Sequence, residues 1–264
     1  MVTRLRGMSM KSSIFVITAA GGNGTAIRVL DHALSRMEYA SQGKQLGQDM
    51  ERFGAEQTGF LIPESDHFEM AGGEFCGNAA RSAAILLSEI QRKPRVSFTM
   101  SGYTGTVSAE IKKTGDNTYF VRCVFPGLSS IRRDIMLSSD QRATVVDLGG
   151  IVHVVIEAPF PSGPDAYQAA HRTITRELKF EKRSAVGVVW IERVENTVKM
   201  HPVVWVKDVD TFFYEQSCGS GTIAVSKVTG IHSIIQPTGK KIEAEITDKA
   251  TILRSDMEVI HSED

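Results

Sequence analysis

The sequence has few cysteines and no long apolar segment, and both deficits restrict what it encodes. Its 264 residues contain three cysteines, Cys76, Cys123 and Cys218, which cannot form a fully paired disulfide framework. Free thiols of this kind favour a reducing compartment. No apolar run approaches the roughly 18 residues that a membrane span requires, and no apolar core of secretory type follows the N-terminal residues. The sequence therefore predicts a cytoplasmic protein with no membrane partner.

An excess of charge of one sign is also absent. The 30 basic and 31 acidic residues give a net charge of −1, and no basic block occurs, so we expect no nucleic-acid partner. Glu64, Asp66 and His67 lie close together in the sequence, but the Cys-x-x-Cys or His-x-x-x-His spacing of a metal site is missing. The glycines at 21–24 lack the spacing of a dinucleotide fingerprint. We therefore expect a small-molecule substrate, no metal and no cofactor.

Alternation of apolar and polar residues dominates the sequence and predicts a chain rich in antiparallel sheet. The predicted strands cover residues 13–17, 96–100, 104–111, 119–124, 152–156, 187–192 and 197–206. Helical spacing predicts helices over residues 38–53, 77–91, 166–178 and 219–229. The predicted fold class is therefore α+β.

A turn at Pro126-Gly127 follows a predicted strand and is the best candidate for a crossing between two halves. Each half then has strands, one of the two cysteines discussed below, and a helix rich in small residues. The predicted division is 12–127 for the first half and 128–255 for the second. Residues 256–264 form a predicted C-terminal tail that we expect to pack back on the first half.

Cys76 and Cys218 stand in matching settings, because each precedes a glycine and a run of small residues that is typical of a helix start. A thiol at a helix N-terminus faces unpaired N–H groups and the positive end of the helix dipole, so we expect its pKa to fall below the free value of roughly 8.5. The same amide groups bind a carboxylate. Inversion of a carbon centre needs one group that removes a proton and a similar group that returns it from the opposite face. The pair therefore predicts a racemase or epimerase.

The competing interpretation is structural. A free cysteine is most often a small buried hydrophobic residue, which is how we interpret Cys123 in its alternating strand. His153, a lone histidine before an apolar run, is also predicted as a core residue. The repetition of one local pattern around Cys76 and Cys218 favours catalysis for these two.

Three segments resemble the signatures of the diaminopimelate epimerase-like family: Asn23 within residues 21–25, the run Cys76-Gly77-Asn78, and the run 218–221. The resemblance implies two similar domains, each an antiparallel barrel-like sheet around a central helix, with the active site in the cleft between them. It also implies racemisation of an amino acid without pyridoxal phosphate. Within the family, residues 56–60, 74–79, 152–153, 186–188 and 217–222 are similar to the histidine racemases of staphylopine-type metallophore pathways.

The resemblance also implies roles for particular residues. Cys76 and Cys218 correspond to the opposed acid and base, and Asn23 and Asn78 to residues that hold the substrate's α-amino and carboxylate groups. Amides of the first helical turns would stabilise the charge that develops when the α-proton leaves. For Glu215 and Gln57, contact with the substrate and a merely local role stay open. The predicted substrate-binding residues are Asn23, Gln57, Gly77, Asn78, Glu215, Gly219 and Ser220.

Histidine is the substrate that the resemblance favours. In diaminopimelate epimerase a Glu-Arg pair stands nine and eight residues before the second cysteine, whereas here Val209 and Asp210 occupy these positions. No cation is therefore available there for a distal carboxylate.

The sequence is also compatible with other functions. These are diaminopimelate or proline/hydroxyproline epimerisation, isomerisation of the phenazine-biosynthesis type, and a non-catalytic role as a thiol redox sensor or ligand-binding protein. For the oligomeric state, a homodimer is one alternative.

Overall fold

Residues 13–263 are described by the computed structural model, and within them four α-helices accompany sixteen β-strands. The strands form one continuous path, β1-β2-β3-β4-β5-β6-β7-β16-β15-β14-β12-β11-β10-β9-β8, with β13 paired to β12. The predicted α+β class is confirmed. In this described range no helix is long and apolar enough to cross a membrane.

The first part of the chain winds a sheet around one buried helix. Two of its neighbouring strand pairs, β2 with β3 and β4 with β5, are parallel, and the other pairs are antiparallel. The chain crosses between the parallel strands through α1 and α2. The elements are β1 (Ile14–Ala19), β2 (Gly22–Val29), α1 (Arg36–Met50), β3 (Ala55–Ile62), β4 (His67–Met70), α2 (Gly77–Gln91), β5 (Arg95–Met100), β6 (Tyr103–Lys113) and β7 (Thr118–Pro126).

The second part repeats this order. Its parallel pairs are β10 with β11, joined through α3, and β12 with β14, joined through α4. Apart from the added strands β8 and β13, the same order of strands and crossover helices occurs twice in the chain, and we call these two parts the first and the second repeat. The elements are β8 (Ile131–Met136), β9 (Arg142–Asp147), β10 (Val152–Glu157), α3 (Pro164–Glu177), β11 (Ala185–Val194), β12 (Thr197–Val206), β13 (Thr211–Tyr214), α4 (Gly219–Thr229), β14 (Ser233–Ile235), β15 (Lys241–Ile246) and β16 (Ala250–Glu263).

The last strand joins the two repeats. β16 pairs with β7 and β15 in its first part and with β1 in its second part. Because β16 lies between β7 and β1, eight strands of the described chain close into a barrel around α2. The predicted boundary at 255/256 falls inside this strand, which continues through it without a break.

Small side chains let the two central helices sit inside their sheets. Every residue of α2 from Gly77 to Leu87 is buried, and so is every residue of α4 from Gly219 to Ser226. The two helix starts touch: a Cβ added to Gly77 would lie 3.3 Å from the carbonyl carbon of Gly219 and 2.5 Å from Cδ1 of Leu253. A side chain at position 77 would therefore require both Leu253 and the start of α4 to move.

We predict that the packing of Leu253 against the start of α2 makes a large contribution to stability. Leu253 is fully buried on β16, and Leu253→Ala should lower the free energy of unfolding by about 2–5 kcal/mol, measured by urea denaturation. The next residue, Arg254, is half-buried and pairs with Glu245 at 2.7 Å, so Arg254→Ala should cost at most about 1 kcal/mol. Equal losses in the two variants would contradict this account of the core.

Candidate active site

The helices α2 and α4 each begin at a cysteine. Cys76 and Cys218 are the N-cap residues and share an extended backbone, with φ −130° and ψ 112° for the first and φ −142° and ψ 110° for the second. The Cys76 Sγ accepts a hydrogen bond from the Ala79 N–H at 3.4 Å, and the Cys218 Sγ accepts one from the Gly221 N–H at 3.3 Å. Each sulfur therefore takes the place that a serine or aspartate oxygen usually has at a helix start.

Both thiols line one closed chamber between the two repeats. Its volume of about 10 Å³ is about the space of one water molecule. Gly77, the first residue of α2, is not in its wall. Seven of the nine residues that the sequence predicted for the site line the chamber: Gln57, Cys76, Asn78, Glu215, Cys218, Gly219 and Ser220.

Asn23 and Asn78 hold the loop that precedes Cys218. The Nδ2 of Asn23 donates to the Ser217 carbonyl at 2.8 Å, and the Nδ2 of Asn78 donates to the same oxygen at 3.0 Å. Asn23 has a left-handed backbone, φ 51°, which asparagine adopts more readily than most residues. Its Oδ1 is buried without a hydrogen-bond partner among the described residues. Both side chains therefore organise the Cys218 loop from the other repeat.

A chain of polar side chains connects the two thiols. The Cys76 thiol donates to Oε1 of Gln57 at 2.9 Å, and Nε2 of Gln57 donates to Oε1 of Glu215 at 2.6 Å. The charge of Glu215 also acts on the thiol of Cys218, and both residues line the chamber. Gln57 and Glu215, for which the sequence left a local role open, thus lie between the two sulfurs.

Cys218 has a second polar neighbour on its other side. Its sulfur lies 3.6 Å from Oγ of Ser220, which lies 2.9 Å from Nε2 of His153. Burial lowers the pKa of His153 to about 3, so the imidazole is neutral at neutral pH. His153 is in the core of the second repeat, where the sequence predicted it, and it also orients a hydroxyl of the chamber wall.

The expected fall in the thiol pKa does not occur in this closed chamber. Burial, followed by the charge of Glu215, raises the pKa of Cys76 to about 12, and the same two causes raise the pKa of Cys218 well above its ordinary value. The expectation was wrong because the sequence shows the helix amides but not the degree of burial. The helix amides do lower the pKa of each thiol, but by less than burial raises it.

The buried carboxyl groups of Glu74 and Glu215 and the half-buried one of Glu56 line a cavity of about 300 Å³ beside the chamber. Glu74 and Glu215 line the chamber as well, so the two spaces share a wall. Burial raises the pKa of Glu56 and of Glu74 to about 7 and that of Glu215 to about 8. The Oε2 atom of each has no hydrogen-bond partner within the described part of the chain. The cavity can therefore accept a group that donates hydrogen bonds or carries positive charge.

Sequence reasoning missed four residues that shape the site: Glu56, Glu74, Arg81 and Gln236. The Oε1 of Gln236 accepts the Cys218 N–H at 2.9 Å. Glu56 and Glu74 lie within the segments 56–60 and 74–79 that carry the resemblance, but no site role was predicted for them, because the sequence does not show how deeply they are buried. For Arg81 a signal exists, since it is a charged residue in a helix whose other side chains in residues 77–87 are small, polar or apolar.

Comparisons with known proteins agree with this geometry. The protein-family model described as the histidine racemase CntK N-terminal domain matches residues 20–253 of this chain. A histidine racemase of Fusobacterium nucleatum is 28% identical over 197 residues, which cover 70% of this chain and 72% of that protein. A histidine racemase of Staphylococcus aureus is 26% identical over 214 residues, which cover 77% and 75%.

Two solved structures share the fold at low identity. A hydroxyproline epimerase from Agrobacterium vitis has a TM-score of 0.58 and 12% identity, covering 95% of this chain and 91% of that one. A phenazine biosynthesis protein of the PhzF family from Bacillus anthracis has a TM-score of 0.60 and 12% identity, covering 95% and 97%. Since the family model spans both repeats and both cysteines, the chain belongs to the histidine racemase family and is an isomerase of the amino-acid racemase class.

Proposed function

We propose that the protein interconverts L- and D-histidine without a cofactor, with Cys76 and Cys218 as the two proton-transfer groups. The observation that carries this proposal is the pair of N-cap thiols in one chamber, each at the start of a buried helix from a different repeat. A racemase needs two groups of this kind on opposite faces of the α-carbon. The carboxyl-lined cavity beside the chamber supports histidine as the substrate.

In the proposed reaction, the thiolate of one cysteine takes the α-proton, and the C–H electron pair delocalises into the substrate carboxylate. The thiol of the other cysteine then gives its proton to the opposite face of the α-carbon. One proton leaves the carbon and one returns, so the thiol and thiolate exchange places between the cysteines. Free N–H groups of the first turns of α2 and α4, among them those of Asn78 and Ser220, stabilise the negative charge that develops on the carboxylate.

Glu215 is suited to help set the protonation of this pair. Its charge acts on Cys218, and it is linked to Cys76 through Gln57. With a pKa of about 8, its carboxyl group exchanges a proton readily near neutral pH. Its charge opposes ionisation of both thiols, so a protonated Glu215 favours the thiolate.

The imidazole ring belongs in the cavity of Glu56, Glu74 and Glu215. Ring N–H groups can donate to the unpaired Oε2 atoms of these carboxyls, and a protonated ring would balance their charge. Diaminopimelate fits this cavity poorly, because its distal carboxylate would face the buried acids. A cation, Lys44, also lines the cavity, but it is exposed at the outer rim.

Histidine needs far more room than the 10 Å³ of the closed chamber. We therefore propose that the two predicted halves act as domains that separate to admit the substrate and then close. We assign the reaction to the cytoplasm, where a reducing compartment keeps both cysteines as thiols. By the resemblance to the staphylopine-pathway racemases, we propose that it supplies D-histidine for an opine-type metallophore. A homodimer is part of this proposal.

The reaction is tested in D2O by proton NMR, which follows the loss of the α-proton signal of the substrate. Reduced protein is incubated with histidine, proline, glutamate or diaminopimelate. Histidine should exchange and the others should not. Cys76→Ser and Cys218→Ser should each lower the rate of racemisation at least about 100-fold, since each variant lacks one proton-transfer group. The matched control is Cys123→Ser, a buried cysteine on β7 that does not line the chamber. Full racemisation by either single variant, or exchange of proline alone, would contradict the proposal.

Glu74→Gln tests the carboxyl-lined cavity through both stability and substrate binding. Folding raises the pKa of Glu74 from 4.5 to about 7, so between these pH values the folded state keeps a proton that the unfolded state loses. The free energy of unfolding should therefore fall as pH rises from about 4.5 to about 7, and Glu74→Gln should remove a fall on the order of 2–3 kcal/mol. The variant should also raise KM for histidine more than it lowers kcat.

The control for this test is Glu51→Gln, at the exposed rim of the same cavity. Urea denaturation at pH 5, 6, 7 and 8 measures the first effect, and steady-state kinetics the second. Equal pH profiles for Glu74→Gln and wild type would contradict the burial of an uncompensated carboxyl group there.

A further inference from the structure

Arg81 is the largest side chain that is fully buried in the described structure, and its charge has no acidic partner there. Its guanidinium donates to the Gly77 carbonyl at 3.1 Å, to Oγ of Ser255 at 2.6 Å and to Oδ1 of Asn78. All three acceptors are neutral, and no ion pair to Arg81 is formed within residues 13–263. A buried cation without a counter-charge is costly, which calls for an explanation.

The guanidinium lies where the starts of α2 and α4 meet. A Cβ added to Gly219 would come within 3.1 Å of Nη2 of Arg81 and within 2.9 Å of Oδ1 of Asn78. Helix N-termini already carry positive partial charge. Arg81 therefore adds to a positive potential at this point and is not neutralised by it.

The groups that can balance this charge are thiols. The ionisable groups that act on the guanidinium electrostatically are those of Cys76, Cys218 and Cys123. Burial lowers the pKa of Arg81 only to about 10, so the side chain is charged at neutral pH. The guanidinium lies beside the residue that follows each proton-transfer cysteine: it donates to the carbonyl of Gly77, and its Nη2 lies 3.1 Å from a Cβ built on Gly219. The Gln57 contact, by contrast, is made to Cys76 alone and the Ser220 contact to Cys218 alone.

We propose that Arg81 is a positioning residue and the fixed counter-charge of the racemase site. It holds the side chain of Asn78 at the start of α2. Its charge allows either thiol to ionise inside a chamber that burial and Glu215 otherwise keep neutral. Because it acts on both cysteines, it supports both directions of the reaction. This inference rests on the proposed function.

The other titratable groups around the two thiols are known, which makes a pH profile interpretable. Glu215 comes from the loop before α4 and Glu74 from the loop before α2, and both act on Cys76. His153 of β10 is neutral over the working range because burial lowers its pKa to about 3. Cys123 of β7 interacts electrostatically with the guanidinium.

The first test compares Arg81→Gln with Arg81→Lys. The pH dependence of kcat/KM is measured with L-histidine and with D-histidine. Loss of the charge in Arg81→Gln should shift the acidic limb of the kcat/KM profile to higher pH by about 1 unit or more. It should also lower kcat/KM near pH 7.5 at least about 10-fold in both directions. Arg81→Lys keeps the charge but not the forked hydrogen bonds of the guanidinium. The acidic limb of its pH profile should therefore stay in place, while the maximum value of kcat/KM falls. A purely structural role would lower the plateau of both variants and leave both limbs unmoved, which would overturn the proposal.

The second test leaves Arg81 in place, so it does not depend on the folding of Arg81→Gln. Cys123→Asp adds a carboxylate at a position that interacts electrostatically with the guanidinium, and Cys123→Asn is the neutral control of the same shape. The aspartate variant should shift the acidic limb upward and the asparagine variant should not. If neither variant shifts the acidic limb of the kcat/KM profile although both have a native circular dichroism spectrum, the proposal is overturned.

Thiol alkylation separates a failure of this inference from a failure of the proposed function. The pH dependence of iodoacetamide labelling at Cys76 and Cys218, measured by peptide mass spectrometry, needs no catalytic activity. If the wild type does not exchange histidine protons but Arg81→Gln labels at a higher pH, the racemase proposal fails and the role of Arg81 as counter-charge stands. If exchange is present and labelling is identical in Arg81→Gln and wild type, only the Arg81 inference fails.

Discussion

The direct contact between the starts of α2 and α4 is the constraint on which the rest of the structure depends. Two helices can meet this closely only where Gly77 faces Gly219, since a Cβ at either position would enter the other helix start or its neighbours. The contact brings together residues that are 142 positions apart in the chain (218 minus 76). It also directs two sets of unpaired amide groups at one point, which is the arrangement that a carboxylate requires.

This meeting of helix starts has an electrostatic consequence. The point is buried by both repeats, and burial opposes every charge placed there, so the thiols and Glu215 all have raised pKa values. The helix amides act in the opposite direction, and in our proposal the Arg81 guanidinium does so too. In our account the substrate completes the balance: its carboxylate meets the positive helix starts, and its side chain meets the buried carboxyl groups. Closure then supplies the low dielectric in which these interactions are strong.

The sequence predicted the parts of this site that local pattern controls. The predicted helices at 77–91 and 219–229 coincide with α2 and α4, because small residues after Cys-Gly and a left-handed Gly230 mark their ends. Nine strands were missed: β2, β3, β4, β8, β9, β13, β14, β15 and β16. Among them, β2 contains the glycine-rich turn residues 22–24, β8 has an exposed, non-alternating pattern, and β16 depends on partners from both repeats.

The direction of the thiol pKa and the functions of Glu56, Glu74 and Arg81 were not predictable in the same way. Each depends on burial by distant segments, which no local pattern encodes. The most direct measurement of the central claim is a crystal structure of the Cys76→Ser/Cys218→Ser double variant with L-histidine. We predict the α-carbon between the two serine Oγ atoms, the carboxylate on the amides of α2 and α4, and the ring beside Glu56, Glu74 and Glu215. Histidine bound with both hydroxyls on one face of its α-carbon, or outside the chamber, would contradict the account.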